Sequence, residues 1–401
     1  MKHFLLSIPL ALLCGCTQPV VQSALVNEVD VFLASYSETY LGLQLKSAEA
    51  DWALNTKIVE GDDSNSKAYE VAEGKVAEFT GSVEVIEKAR RYLAGVSALN
   101  DLQVRQLKAI LYAAARNPQT KPELVTARIK ADAAQTEALF GFDFKINGKS
   151  VSTNEIDRIL EEENDEQVRL AAWTSSKEVG KGLKKGLANL VSLRNKTVQA
   201  LGYKDFFQYQ VSDYGMTVPE MMELMRRFAR ELRPLYRELH TWARYRLAKK
   251  FGKEVPDLLP AHWLPNRWGQ SWSSMVKVKG FDLDGVLSSF KPEKLVRQAE
   301  DFYVSLGFEA LPRSFYERSS LYPLPKGTPY KKNNHASAWH MDLEEDVRCL
   351  MSVEPNANWW ETTHHELGHI YYYIEYTSPY VPPLLREGAN RGFHEAIGSL
   401  L

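Results

Sequence analysis

Apolar residues return at helical intervals along most of the chain. Phe32, Tyr36 and Tyr40 fall at i, i+4 and i+8 and place an early helix. Ser152-x-x-Glu155 reads as a capping box opening another. Thr217-x-x-Glu220 is a second box, with Pro219 tolerated in the first turn. It starts an amphipathic segment, Val218 to Phe251, with Gly252 just past its end and Pro234 expected to kink it. A further helix is predicted from Asn358 to Tyr376, with Asn358-x-x-Glu361 as its N-terminal box. Gly141 to Gly148 reads as a loop turning at Asn147-Gly148. The departure from helical period is His335 to Val353. Two β-compatible runs, His335–Met341 and Val347–Val353, flank the acidic turn Asp342 to Asp346 and predict a hairpin. No repeat or low-complexity block interrupts the pattern, and Pro and Gly are not gathered into one linker. The expectation is a mainly α chain with one small hairpin.

The N-terminus breaks the pattern differently. Phe4 to Leu13 is an apolar run too short to span a bilayer, and it ends in Leu13-Cys14-Gly15-Cys16. That sequence resembles a bacterial lipoprotein processing site. Residues 1–15 are therefore expected to be a signal peptide, with a lipidated Cys16 anchoring the chain at the periplasmic face of the cell envelope. Plain secretion, giving a soluble periplasmic or secreted protein, is the alternative. No other run is apolar enough to predict a span. Charge adds an exclusion: 49 Lys plus Arg against 51 Asp plus Glu gives a net charge of −2, which argues against a nucleic-acid binder. Hydrophobic residues at 44% support a substantial core. If Cys14 leaves with the signal and Cys16 carries lipid, Cys349 has no partner, and the fold relies on that core. The acidic stretch Glu161 to Glu166 reads as a solvated junction between helices, and the aromatic runs Trp359-Trp360 and Tyr371 to Tyr373 as core.

The candidate chemistry is His365-Glu366-Leu367-Gly368-His369, an H-E-x-x-H sequence inside the last predicted helix. On a helix, i and i+4 share a face, so both imidazoles can meet one metal ion. Glu366 lies about 100° round the helix, beside the ion rather than on it, where a carboxylate can take a proton from water. Two histidines need a third protein ligand. Glu395, in Gly392-Phe393-His394-Glu395-Ala396-Ile397-Gly398, is the best candidate and His394 its rival.

Four segments together resemble the angiotensin-converting-enzyme family of zinc peptidyl-dipeptidases. They are Trp268-Gly269-Gln270-Ser271-Trp272; His335-Ala336-Ser337-Ala338-Trp339; His364 to Ile370; and Arg386-Glu387-Gly388-Ala389-Asn390 through His394 to Gly398. The resemblance implies a zincin-like helical ellipsoid around a deep substrate channel, with N-terminal helices as a lid and the hairpin beside the zinc helix. It implies one Zn2+ held by His365, His369 and Glu395, with Glu366 as general base. His335 would hydrogen-bond a substrate carbonyl, Ala336 would pair with the peptide backbone, and Gln270 would hold the terminal carboxylate. The substrates would be oligopeptides losing C-terminal dipeptides, with no obligate protein partner.

Departures from the family are visible. The interval from His369 to Glu395 is longer, by an insertion near Ser378-Pro379. Ser399 stands where the family has an aspartate, and Asn334 where many relatives have a disulfide cysteine. Val211 stands where animal members have a chloride-binding arginine, so chloride is not expected. The family domain continues beyond the position of Leu401, so residues 16–401 are expected to be the N-terminal two-thirds of a single metallopeptidase domain. A catalytically impaired peptide-binding lipoprotein is the alternative reading, because oxyanion and carboxylate-binding residues would lie in the missing part.

Overall fold

A computed structural model describes residues 18–276, 280 and 282–400. The expected signal segment and Cys16 lie outside them. The first helices are α1 (Gln18–Thr56), α2 (Ser64–Thr80), α3 (Val83–Ala94), α4 (Asp101–Arg116) and α5 (Pro122–Phe140). A two-stranded hairpin follows, β1 (Lys145–Ile146) and β2 (Lys149–Ser150). Then come α6 (Thr153–Glu162), α7 (Glu166–Gln199), α8 (Phe206–Ser212) and α9 (Val218–Phe251). The last part holds α10 (Leu283–Leu287), α11 (Pro292–Ser305), α12 (Arg313–Arg318), β3 (Ser337–His340), β4 (Val347–Leu350), α13 (Ala357–Tyr376) and α14 (Arg391–Leu400). The fold is mainly helical, as the pattern predicts. No helix among the described residues is long and apolar enough to cross a membrane.

Local chemistry sets the boundaries. Thr217 and Glu220 make both halves of the capping box of α9, and Gly252 closes that helix at φ 62°. Pro234 sits inside it and removes one helical hydrogen bond. The Ser152 hydroxyl accepts the Glu155 N–H, the forward half of the box expected there. Asp165 caps α7 at the acidic junction.

Three expectations need correction. The loop expected at residues 141–148 holds strand β1, which pairs with β2 just beyond it, Lys145 opposite Ser150 and Ile146 opposite Lys149. Asn147 (φ 51°) and Gly148 (φ 78°) are both left-handed, as a two-residue turn between twisted strands requires. The cap of α13 is Asn356, not Asn358: extended Asn356 accepts the Trp359 N–H at 2.9 Å, which leaves Asn358 inside the helix. The strands of the larger hairpin are also shorter than their apolar runs. Beyond Leu350 the chain turns to another partner, with the Met351 and Val353 N–H groups donating to the Ser320 and Leu321 carbonyls at 2.8 and 3.0 Å.

The core beneath the candidate site joins α11, α12, β4 and α13 through Val296, Tyr303, Phe315, Cys349, Leu367 and Ile370, all fully or almost fully buried. Strands β3 and β4 are antiparallel with Ala338 opposite Cys349, and Cys349 is a buried free thiol. A second core holds α1, α3 and α4 together. Helix α9 differs: Met225, Phe228, Leu232, Leu235, Leu239 and Trp242, alternating three and four residues apart, are all exposed.

Candidate metal centre

Helix α13 presents His365 and His369 from one face, and α14 brings Glu395 to them. The helices meet closely because each offers glycine at the contact. A Cβ on Gly368 would lie 2.9 Å from the Gly398 Cα and 2.8 Å from the Tyr303 hydroxyl. One on Gly398 would lie 3.0 Å from the His365 ring. Tyr303 fixes α13 from below, its hydroxyl donating to the His364 carbonyl at 2.7 Å. At the start of α14, Asn390 accepts the Phe393 N–H at 2.8 Å.

The two Nε2 atoms are 3.1 Å apart, and a Glu395 carboxylate oxygen lies 3.5 Å from His365 and 3.7 Å from His369. Ligands of a tetrahedral zinc ion, with bonds of about 2.0–2.1 Å, stand about 3.3 Å from one another. The three edges bracket that value, and two nitrogens with one carboxylate match a His2Glu donor set, so these residues fit zinc. The Glu395 side chain is 54% exposed against 10% for His369, so the triangle opens to solvent on the Glu395 side.

Each imidazole is steadied through its other nitrogen. His369 Nδ1 lies 2.7 Å from His394 Nδ1, and His365 Nδ1 lies 3.4 Å from the Ser399 hydroxyl. Burial, then the neighbouring His365, lowers the pKa of His369, keeping it neutral with a lone pair to offer. Burial and His369 push His394 down to about 4. Glu366 is buried on the same helix, and burial followed by the charge of Glu395 pushes it up to about 8.

The other expected residues lie on two separate segments. His335 and Ala336 precede β3, just outside the ladder, and His335 Nδ1 sits 2.8 Å from the Ala336 carbonyl. The hairpin is tied to α13 by the Tyr373 hydroxyl, which donates to the Ala338 carbonyl at 3.2 Å. Gln270 is exposed on the loop after Trp268 and shares no contact with the triangle among the described residues. Sequence reasoning missed the contact of His394 with His369 and the paired glycines. One glycine lies just before His369 and the other three residues after Glu395, but no local signal says that they meet.

A family model described as Angiotensin-converting enzyme matches residues 24–401. The chain is 31% identical over 261 residues to an angiotensin-converting enzyme of Haematobia irritans exigua, a match covering 62% of this chain and 42% of that protein. It is 34% identical over 243 residues to the angiotensin-converting enzyme of Bos taurus, covering 57% of this chain and 18% of that one. It is 32% identical over 237 residues to an angiotensin-converting enzyme-related protein of Drosophila melanogaster, covering 55% and 36%. The chain spans less than half the length of each of these relatives. A match over nearly all of its length, on a chain whose last two helices place two histidines and a glutamate at the corners of one small triangle, means that this protein belongs to the angiotensin-converting-enzyme family.

Proposed function

We propose that this protein is a zinc peptidyl-dipeptidase that removes C-terminal dipeptides from oligopeptides. The observation that carries the reading is the His365–His369–Glu395 triangle with buried Glu366 on the same helix. His365, His369 and Glu395 would hold the ion. Zinc, when bound, polarises a carbonyl and makes a water molecule more acidic.

The chain's own residues do the rest. Glu366, buried on the same helix as the two histidines, takes the proton of the attacking water and passes it to the leaving amine. In the two-stranded sheet, β3 pairs with β4 on one side, leaving its other edge for an extended peptide. His335 and Ala336 lie at the start of that edge, and Gln270 would grip the terminal carboxylate and so fix where the cut falls. Attachment to the cell envelope through Cys16 belongs to the same reading.

The test is mass spectrometry of an N-terminally blocked oligopeptide after incubation with zinc-loaded protein. Successive loss of two-residue units from the C-terminus is expected. Glu366→Ala should slow that loss by about a hundredfold or more while leaving zinc bound. Cleavage that persists undiminished in Glu366→Ala, or trimming from the N-terminus of an unblocked peptide only, would overturn the reading.

A further inference from the structure

We propose that Asp157 and Arg267 are positioning residues: their ion pair sets the loop that carries Gln270, and through it the recognition of a free C-terminal carboxylate. The inference rests on the peptidase reading above and extends it to two residues that act through a third.

The segment after α9 is tied to the helices at successive points. Arg169 of α7 donates to the His262, Trp263 and Leu264 carbonyls at 2.9, 2.9 and 3.0 Å. About two turns along the same helix, Lys177 donates to the Arg267 carbonyl at 2.8 Å, and its ammonium stands 4.8 Å over the Trp268 ring. A single hydrogen bond fixes where the backbone passes but lets it turn about that bond. The Arg267 side chain supplies the second constraint. Its guanidinium reaches α6 and meets Asp157 twice, Nε to Oδ1 at 2.6 Å and Nη2 to Oδ2 at 3.0 Å. Such a fork fixes orientation as well as distance. The Arg267 side chain is only 14% exposed, so water competes little for its donors.

Gln270 follows three residues later, along a turn held at each step. The Asn266 side chain accepts the Trp268 N–H at 2.8 Å, and the Asn266 carbonyl accepts the Gly269 N–H at 3.0 Å. Gly269 turns the chain at φ 68°, a left-handed conformation that favours glycine. The Trp272 indole then donates back to the Gly269 carbonyl at 2.9 Å. A turn this tight has little slack, so a rotation at Arg267 is carried to Gln270. An amide that binds a carboxylate tolerates little such movement, because its hydrogen bond weakens steeply as it bends. Electrostatics alone has the opposite sign. Asp157 is an anion, and removing its charge would favour any nearby anionic group. Positioning therefore requires that loss of the Asp157 charge weaken carboxylate binding, whereas a field effect requires that it strengthen it.

Two substitutions make the test. Asp157→Asn keeps the side chain's size and loses its charge; Arg267→Lys keeps the charge and loses the fork. Binding of one N-terminally blocked oligopeptide, as the free acid and as the C-terminal amide, is measured by calorimetry in a Glu366→Ala background that slows turnover. With Asp157 and Arg267 intact, the free acid should bind about tenfold or more tighter than the amide, since hydrogen bonds to charged groups are the stronger ones. Both substitutions should weaken the free acid about tenfold and leave the amide within about twofold, so the preference is lost. Added to Gln270→Ala, neither should weaken the free acid further, because both act through that side chain. Zinc affinity, measured by competition with a chromogenic chelator, should stay as in wild type, as should kcat when Glu366 is present. The proposal is overturned if Asp157→Asn binds the free acid as well as or better than its parent, if Arg267→Lys keeps the preference, if acid and amide weaken together in variants with unchanged circular dichroism, or if the losses add to that of Gln270→Ala. A protein that prefers the free acid and yet cleaves nothing would sink the peptidase reading and leave the positioning pair standing. One that releases dipeptides without preferring the free acid would do the reverse.

Discussion

Lys332 shows how a single side chain can place a site it never touches. Its buried ammonium donates to the Ser320 hydroxyl at 3.0 Å and to the Tyr322 and Met351 carbonyls at 2.6 and 2.5 Å. It clasps the strand leading to His335 onto the end of β4. Lys332→Met would strand those acceptors without partners, each costing about 1–3 kcal/mol, and should lower stability by at least about 3 kcal/mol in urea melts. Ser399 is the opposite case, a weak contact open to improvement. At 3.4 Å its hydroxyl barely reaches His365 Nδ1, whereas a carboxylate there would accept strongly. Ser399→Asp should tighten zinc binding about tenfold in the same chelator competition. Asp51 makes a statement about pH. Burial, then Glu73, pushes its carboxyl up from 3.8 to about 7. A raised acid binds its proton more tightly folded than unfolded, so the stability it contributes is complete below about 4 and lost as pH rises through about 7. Asp51→Asn should flatten the fall of the urea midpoint between about pH 5 and about pH 8 and leave the variant more stable than wild type at the upper end.

At the scale of elements, sequence was most legible where one residue type has one structural use. Thr217, Glu220 and Gly252 mark the ends of α9 because caps are local. His365 and His369 share a face because helical period dictates it. The cap of α13 slipped by two residues because Asn356 and Asn358 are equally good acceptors, and only backbone conformation chooses between them. The small hairpin at residues 145–150 was hidden because its strands are two residues each, too short to show alternation. The least legible feature is the one that builds the site. Nothing local in Gly368 or Gly398 says that α13 and α14 touch there; that contact depends on the path of the intervening loop. It has a clear consequence. Gly368→Ala places a methyl against the Gly398 backbone and the Tyr303 hydroxyl, so α14 must move outward and take Glu395 with it. Zinc affinity should fall at least about tenfold while far-ultraviolet circular dichroism stays unchanged, since alanine favours the helix itself. Unchanged affinity would mean that the helices give way elsewhere.

Across the whole molecule, α1 is fastened to the segments that carry the candidate peptide-binding residues. Arg348 of β4 is held by Asp346 and grips Glu49 with two bonds at 3.0 and 2.5 Å. Trp52 meets Trp339 of β3 edge-on at 5.4 Å. Asn333 donates through its side chain to Asn55 Oδ1 at 3.0 Å and through its backbone to the Asn55 carbonyl at 2.7 Å. Ile58 and Lys331 exchange backbone bonds at 2.8 Å. These links join the end of α1 to the hairpin and to the residues just before His335, and none of them involves α13 or α14. The fastening should therefore govern peptide binding and leave the metal centre alone. In the Glu49–Arg348 pair Glu49 is half open to water, while Arg348 is buried and keeps Asp346 as a second partner. Asn333 is buried, so Asn333→Ala leaves the Asn55 amide oxygen unpaired and costs about 1–3 kcal/mol. In Asn333→Ala, hydrogen exchange at residues 49–58 should quicken and KM for a blocked oligopeptide should rise several-fold, with zinc affinity as in wild type. A rise in KM without faster exchange would place the effect in the His335 segment alone, because loosening α1 requires that its amides open. A loss of zinc affinity would show that α1 and the metal centre are coupled through the core after all, contrary to the separation of their contacts.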